Sequence, residues 1–231
     1  MRIDIWSDIA CPWCFIGKRR FEQALADFAH RDQVEVVWHS YQLDPTLPEH
    51  YDGTELDYLS ERKGLPAEQV RQMFAHVAAQ ATGEGLSYDF DSLVVANSAT
   101  AHELLHLAAE HGVAGAVKEA LLSAHFEHGR DTGSRAVLVE IGVAAGLEAS
   151  VITANLDAGT HRQAMQDDIA QAQQIGVTGV PFFVLDGKYG VSGAQPSEVF
   201  SQALNQAWQA AAPLVMVDGD GEACGPDGCA V

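Results

Sequence analysis

Apolar and polar residues alternate at the start of the chain, where Ile3 and Ile5 are interleaved with Arg2 and Asp4, the two-residue period of a half-buried strand. A second strand is predicted where Val34, Val36 and Trp38 alternate with Glu35 and Val37. Near the other end, Phe182-Phe183-Val184-Leu185 is a continuous apolar run closed by Asp186-Gly187. It predicts a central strand entering a hairpin whose second strand holds Tyr189 and Val191. A last helix is predicted from Pro196 to about Ala211, with Phe200, Leu204 and Trp208 on one stripe. Between these ends, roughly Leu56 to Gln174 reads as helical, rich in Ala, Leu, Glu, Gln and His and punctuated by glycines at 83, 85, 112, 129, 133, 146 and 159. No fixed-period repeat is evident. The pattern is that of an α/β protein in which a helical block interrupts a β-α-β core, with expected divisions at 1–50, 51–175, 176–217 and a Gly- and acid-rich tail at 218–231.

Charge narrows the partners. Thirteen Lys and Arg stand against 32 Asp and Glu, a net charge of −19. Nucleic acids and anionic membranes both require a basic surface, so a protein or small-molecule partner is expected. The N-terminus runs into Cys11 with no apolar leader or small-residue cleavage site, and no apolar run approaches the roughly eighteen residues that span a bilayer. A cytoplasmic protein is therefore expected, and four cysteines in a reducing compartment suggest reactive thiols more than a structural scaffold.

Cys11-Pro12-Trp13-Cys14 falls where the first strand should hand over to the first helix. The leading amides of a helix lack intrahelical partners and its dipole favours negative charge, so a cysteine there ionises readily. Cys11 is expected to be the exposed, attacking thiolate. Cys14, one turn on and on the face of Phe21, Leu25 and Phe28, is expected to be the shielded, resolving thiol. Pro12 suits the first turn, where a missing N–H costs nothing. Half a zinc site has the same spacing, but zinc normally needs two further ligands at similar short spacing, and the other cysteines lie at 224 and 229.

Cys224-Gly225-Pro226-Asp227-Gly228-Cys229 forms a second pair around a turn sequence that allows the sulfurs to approach. It reads either as an auxiliary redox pair exchanging with Cys11 and Cys14 or as two incidental thiols in a tail. His102-Glu103-Leu104-Leu105-His106 matches the H-E-x-x-H zinc signature. An Ala/Leu/Glu-rich helix in a chain with ten histidines produces such a match cheaply, Glu127 is only a loose third ligand, and no metal is expected.

Cys11-Pro12-Trp13-Cys14 with Phe15-Ile16-Gly17, Gly179-Val180-Pro181-Phe182-Phe183, and Gly193-Ala194-Gln195-Pro196 together resemble the DsbA family of thioredoxin-fold proteins, in its FrnE-like branch, over nearly the whole chain. The resemblance implies a thioredoxin fold with a large helical insertion domain between the second and third strands. It also implies a thiol-disulfide oxidoreductase, extending to disulfide isomerase, that acts on protein or small-molecule thiols and disulfides. An X-Pro bond is trans by default. The resemblance instead implies a cis Pro181 facing Cys11, with the Val180 backbone free to pair with an extended substrate segment and Pro12 and Trp13 beside it. Some FrnE-like proteins carry a C-terminal C-x4-C, as at Cys224 and Cys229. The strongest oxidants of the family have a histidine between the cysteines. Trp13 supplies no such charge, so a less oxidising couple is expected, and Asp4 and Asp8, if close, would disfavour the thiolate further.

No cofactor is required by this chemistry, with glutathione as a candidate redox partner. Kappa-class glutathione transferases and 2-hydroxychromene-2-carboxylate isomerases share the inserted architecture, and they are the alternative reading, although they usually have serine where this chain has Cys11. Asn97 and Ser98 could cap a helix or line the cleft, capping being the blander role. A redox-sensing chaperone with an apolar groove near Trp13 and Phe183 is the non-enzymatic alternative.

Overall fold

The computed structural model describes residues 1–49 and 51–211; Cys224, Cys229 and the predicted tail lie outside them. A four-stranded sheet of order β2-β1-β3-β4 organises the molecule: β1 (Arg2–Ser7), β2 (Glu35–Ser40), β3 (Phe182–Leu185) and β4 (Tyr189–Ser192). β1 runs parallel to β2, and the connection that a parallel pair requires is α1 (Pro12–Ala26). β3 lies antiparallel to both β1 and β4, pairing Ile5 with Phe183 and Phe183 with Val191.

The strand period of two divides the sheet into two faces. Ile3, Ile5, Phe183, Leu185 and Val191 form a core with Phe21 and Ala24 of α1 and with Phe200 and Leu204 of α9 (Ser197–Ala210). Trp6 faces the other way, packing with Ala172 of α8 (Arg162–Gln174) and Val177, and its indole N–H donates to the Asp168 carbonyl at 3.0 Å. The helical pattern placed α8 with the inserted block. In space it covers the second face of the sheet.

Between β2 and β3 the chain also forms α2 (Glu55–Arg62), α3 (Ala67–Gly83), α4 (Ala99–Glu110), α5 (Ala114–Phe126), α6 (Arg135–Ala144) and α7 (Ala149–Ala158). Thr54 caps α2 reciprocally with Asp57, and Gly159 ends α7 in the left-handed conformation that favours glycine. Leu104, Leu121, Leu138 and Ile152 bind α4 to α7 together, and Ile9, from the segment after β1, enters the same core. Phe15 and Ile16 of α1 pack with Val77, Leu122 and Phe126, so the first turns of α1 are buried against the insertion. Among the described residues, no helix is long and apolar enough to cross a membrane.

Candidate active site

The first strand delivers Cys11 to the N-terminus of α1, as its N-cap, with Pro12 at the first helical position. The Tyr88 hydroxyl donates to the Pro12 carbonyl at 2.7 Å and so pins this turn to the insertion. The Val180–Pro181 peptide is cis, and the Cys11 thiol donates to the Val180 carbonyl oxygen at 3.4 Å across 169 positions of sequence. That carbonyl, expected to be free for an extended segment, is engaged by the cysteine. Gly17 allows the approach: a Cβ there would lie 2.8 Å from the Pro181 ring.

The expected exposure of Cys11 needs correction. Cys11 is buried, 4% exposed, because the insertion closes over it; Cys14 is 1% exposed. The surroundings of the pair favour charge on Cys14 more than on Cys11. A hydrogen bond to Cys14, then burial and the charges of Cys14 and Asp8, push the Cys11 thiol well above its ordinary value. Burial raises Cys14 too, but the hydrogen bond from Cys11, the Lys118 charge and the Ser7 hydroxyl outweigh it and bring Cys14 down. The two thiols titrate as one pair.

Lys118 carries no motif signal. It comes from α5, is fully buried, and its ammonium donates to the Ser7 carbonyl at 3.5 Å beneath the dithiol. Burial pulls it down to about 8, against the raising influence of Cys14 and Asp8. The positive charge that Trp13 does not provide thus arrives from the insertion.

The two neighbouring acids separate. Asp8 is fully buried at the site, accepting from the amides of Leu43 (2.7 Å) and Ala10 (3.3 Å) and from His102 Nε2 (3.3 Å). Burial raises its carboxyl, yet His102, Leu43 and Ser98 hold it below its ordinary value, while burial keeps His102 neutral. Asp4 does not approach the sulfurs, because it pairs with Arg2 at 2.7 Å and with His39 at 2.7 Å.

The H-E-x-x-H residues are divided among different partners: His102 pairs with Asp8, His106 with Asp168 at 3.2 Å, and Glu103 with Arg162 at 3.3 Å. Glu127 accepts from the Ser87 amide. Asn97 rather than Ser98 caps α4, accepting from the Ala99 amide at 2.9 Å, whereas Ser98 lines the cleft.

The cleft beside Cys11 has a volume of about 460 Å³. Ala10, Pro12, Trp13 and Val180 flank the sulfur, and Leu59, Phe74, Val77, Phe90 and Phe126 form an apolar wall. Phe183, expected at the groove, is 1% exposed in the sheet core and does not reach it.

Residues 2–205 match the DSBA-like thioredoxin domain. A probable DsbA oxidoreductase from Streptomyces coelicolor is 46% identical, with a TM-score of 0.85 over 100% of this chain and 99% of that one. The cytosolic disulfide reductase DsbM from Pseudomonas aeruginosa, in a structure with GSH, is 20% identical with a TM-score of 0.63 over 90% and 100% of the two chains. A 2-hydroxychromene-2-carboxylate isomerase is 14% identical with a TM-score of 0.65 over 91% and 97%. The last two likenesses concern the fold.

Proposed function

Because the chain belongs to the DSBA-like thioredoxin-domain family, we propose that it is a FrnE-like thiol-disulfide oxidoreductase working through Cys11 and Cys14, with disulfide isomerisation as an extension of the same chemistry. The observation that carries this reading is the buried cysteine pair at the start of α1, with Cys11 Sγ 3.4 Å from the Val180 carbonyl oxygen. Cys11 lines the cleft and Cys14 does not, so Cys11 is the sulfur that meets substrate.

In the oxidising direction a substrate thiolate attacks Cys11 Sγ, the Cys11–Cys14 bond breaks, and Cys14 departs as a thiolate. The Lys118 charge favours that thiolate and so assists its departure. A second substrate thiolate then attacks the sulfur joined to Cys11, forming the substrate disulfide and leaving both cysteines reduced. In the reducing or isomerising direction Cys11 gives up its proton and its thiolate attacks the substrate disulfide, whose S–S bond breaks to release one sulfur as a thiolate. Neither a metal nor an organic cofactor takes part, and glutathione is a candidate for returning the couple to its starting state. Pro181 and Val180 position the partner sulfur beside Pro12 and Trp13, and the reading places the exchange in the cytoplasm, as in the cytosolic DsbM.

Cys14→Ser tests the scheme. Incubated with a thiol-disulfide mixture, it should accumulate a mixed disulfide at Cys11, and Cys11→Ser should abolish turnover. Prevention of aggregation that survives Cys11→Ser, with no turnover in the parent protein, would instead support a chaperone. Glutathione-dependent isomerisation that needs no second cysteine would support the transferase or isomerase alternative.

A further inference from the structure

The buried cysteine and the composition of the cleft bear on what reaches it. With Cys11 4% exposed at one end of a cleft of about 460 Å³, the reacting sulfur must enter a recess rather than meet a flat surface. A volume of that order holds a small organic molecule with much of its surface buried. Leu59 of α2, Phe74 and Val77 of α3, and Phe90 and Phe126 beyond them present the apolar wall. All of them belong to the insertion.

Among the ionisable groups of the cleft, one acid stands without a partner. Asp8, Asp44 and Glu55 line it with Lys63 and His125. Burial drives His125 down to about 4, so it is uncharged at neutral pH. Asp44 is matched by Lys63 at 3.4 Å and Arg62 at 3.7 Å and also accepts from Tyr58 at 3.0 Å. Asp8 is satisfied behind the dithiol turn. Glu55 is different. Among the described residues its carboxyl has no hydrogen-bond or ion-pair partner, and desolvation alone raises it to about 7. A cation placed against it would restore the carboxylate and recover the cost of burial.

We propose that the cleft takes low-molecular-weight disulfides and thiols with an aromatic or branched apolar body and a cationic amino group, the body resting on Phe74 and Phe90 and the cation on Glu55, in preference to glutathione and to protein chains. The inference rests on the dithiol reading and narrows its substrate. In the reducing half-reaction Cys11 Sγ bonds to one sulfur of the disulfide and the other leaves as a thiolate. Cys14 Sγ then bonds to Cys11 Sγ and expels the second thiolate. The protein dithiol loses two electrons and the substrate gains them, and protons from the dithiol and from solvent end on the two released thiolates.

The test is a single-turnover reaction of the reduced full-length protein with bis(4-aminomethylphenyl) disulfide, bis(4-carboxyphenyl) disulfide, oxidised glutathione and an unfolded disulfide-containing protein. Each rate is divided by the rate of that disulfide with free dithiothreitol, which removes intrinsic reactivity. The cationic aryl disulfide should exceed the anionic one by at least tenfold and oxidised glutathione by at least a hundredfold. Glu55→Gln should reduce the cation-to-anion ratio at least threefold, and Glu55→Lys should invert it. Equal normalised rates for the two aryl disulfides, a ratio unaffected by both Glu55 variants, or a faster reaction with the unfolded protein would overturn the substrate class while leaving dithiol exchange intact. If none of the four oxidises the Cys11–Cys14 pair, the dithiol reading itself fails.

Discussion

Gly17 and Pro181 touch across 164 positions of sequence: a Cβ on Gly17 would lie 2.8 Å from Pro181 Cγ and 3.4 Å from the Ala194 backbone. The absence of a side chain on α1 therefore sets how closely the proline, and the Val180 carbonyl that precedes it, approach Cys11. Gly17→Ala must displace a ring or a backbone in a packed region, which costs about 1–3 kcal/mol. A lowered urea midpoint with an unchanged slope is the expected result, together with slower exchange at Cys11.

Lys118→Met should make the couple more reducing. The ammonium lowers Cys14 and thereby stabilises the reduced form; without it the Cys14 thiolate takes up its proton already at higher pH and the reduced state loses that stabilisation. An opposite charge at this range is worth about one or more pK units, and 1.4 kcal/mol corresponds to about 30 mV, so a fall of roughly 30–60 mV is expected. Titrating thiolate absorbance should show the first ionisation of the pair moving upward. An unchanged potential would remove Lys118 from the account.

Stability should fall on both sides of a mildly acidic optimum. Desolvation opposes charge on His39, but hydrogen bonds to Asp168 and Asp4 outweigh it and raise His39 above its ordinary value. That contribution is fully present below about pH 6.5, the unfolded value, and is lost as pH rises through the higher folded value. Burial opposes charge on Asp168, but His106, His39 and the Ser40 amide lower it, so its contribution is present above about pH 3.9 and is lost on acidification. Denaturant titrations between pH 5 and 8 should show stability declining toward pH 8, and His39→Asn should flatten that decline.

Tyr88→Phe leaves the Pro12 carbonyl without the donor that reaches it from the insertion at 2.7 Å. Loss of that hydrogen bond costs about 0.5–1.5 kcal/mol, so thermal unfolding should begin a few degrees lower.

The sheet, its hairpin and the redox turn were legible because each rests on local pattern: alternation at Ile3 and Ile5, the Asp186-Gly187 stop, and a C-x-x-C placed between strand and helix. The cis Val180–Pro181 bond was accessible only through family resemblance, since the residues themselves favour trans. Lys118, the burial of Cys11 and the sheet-facing position of α8 were not legible. Each depends on contacts between segments a hundred or more residues apart, and a lysine in an Ala- and Leu-rich helix reads as a solvated residue until the packing partner is known.

The most direct test of the central claim is the reduction potential of the Cys11–Cys14 couple, measured by equilibration in glutathione buffers with thiol trapping and mass spectrometry in the parent protein and in Cys11→Ser. The account predicts a reversible two-electron couple between about −270 and −120 mV, the range spanned by thioredoxin and DsbA, that disappears in Cys11→Ser. A parent protein that forms no Cys11–Cys14 disulfide across that range, and carries only a glutathione adduct at Cys11, would contradict it.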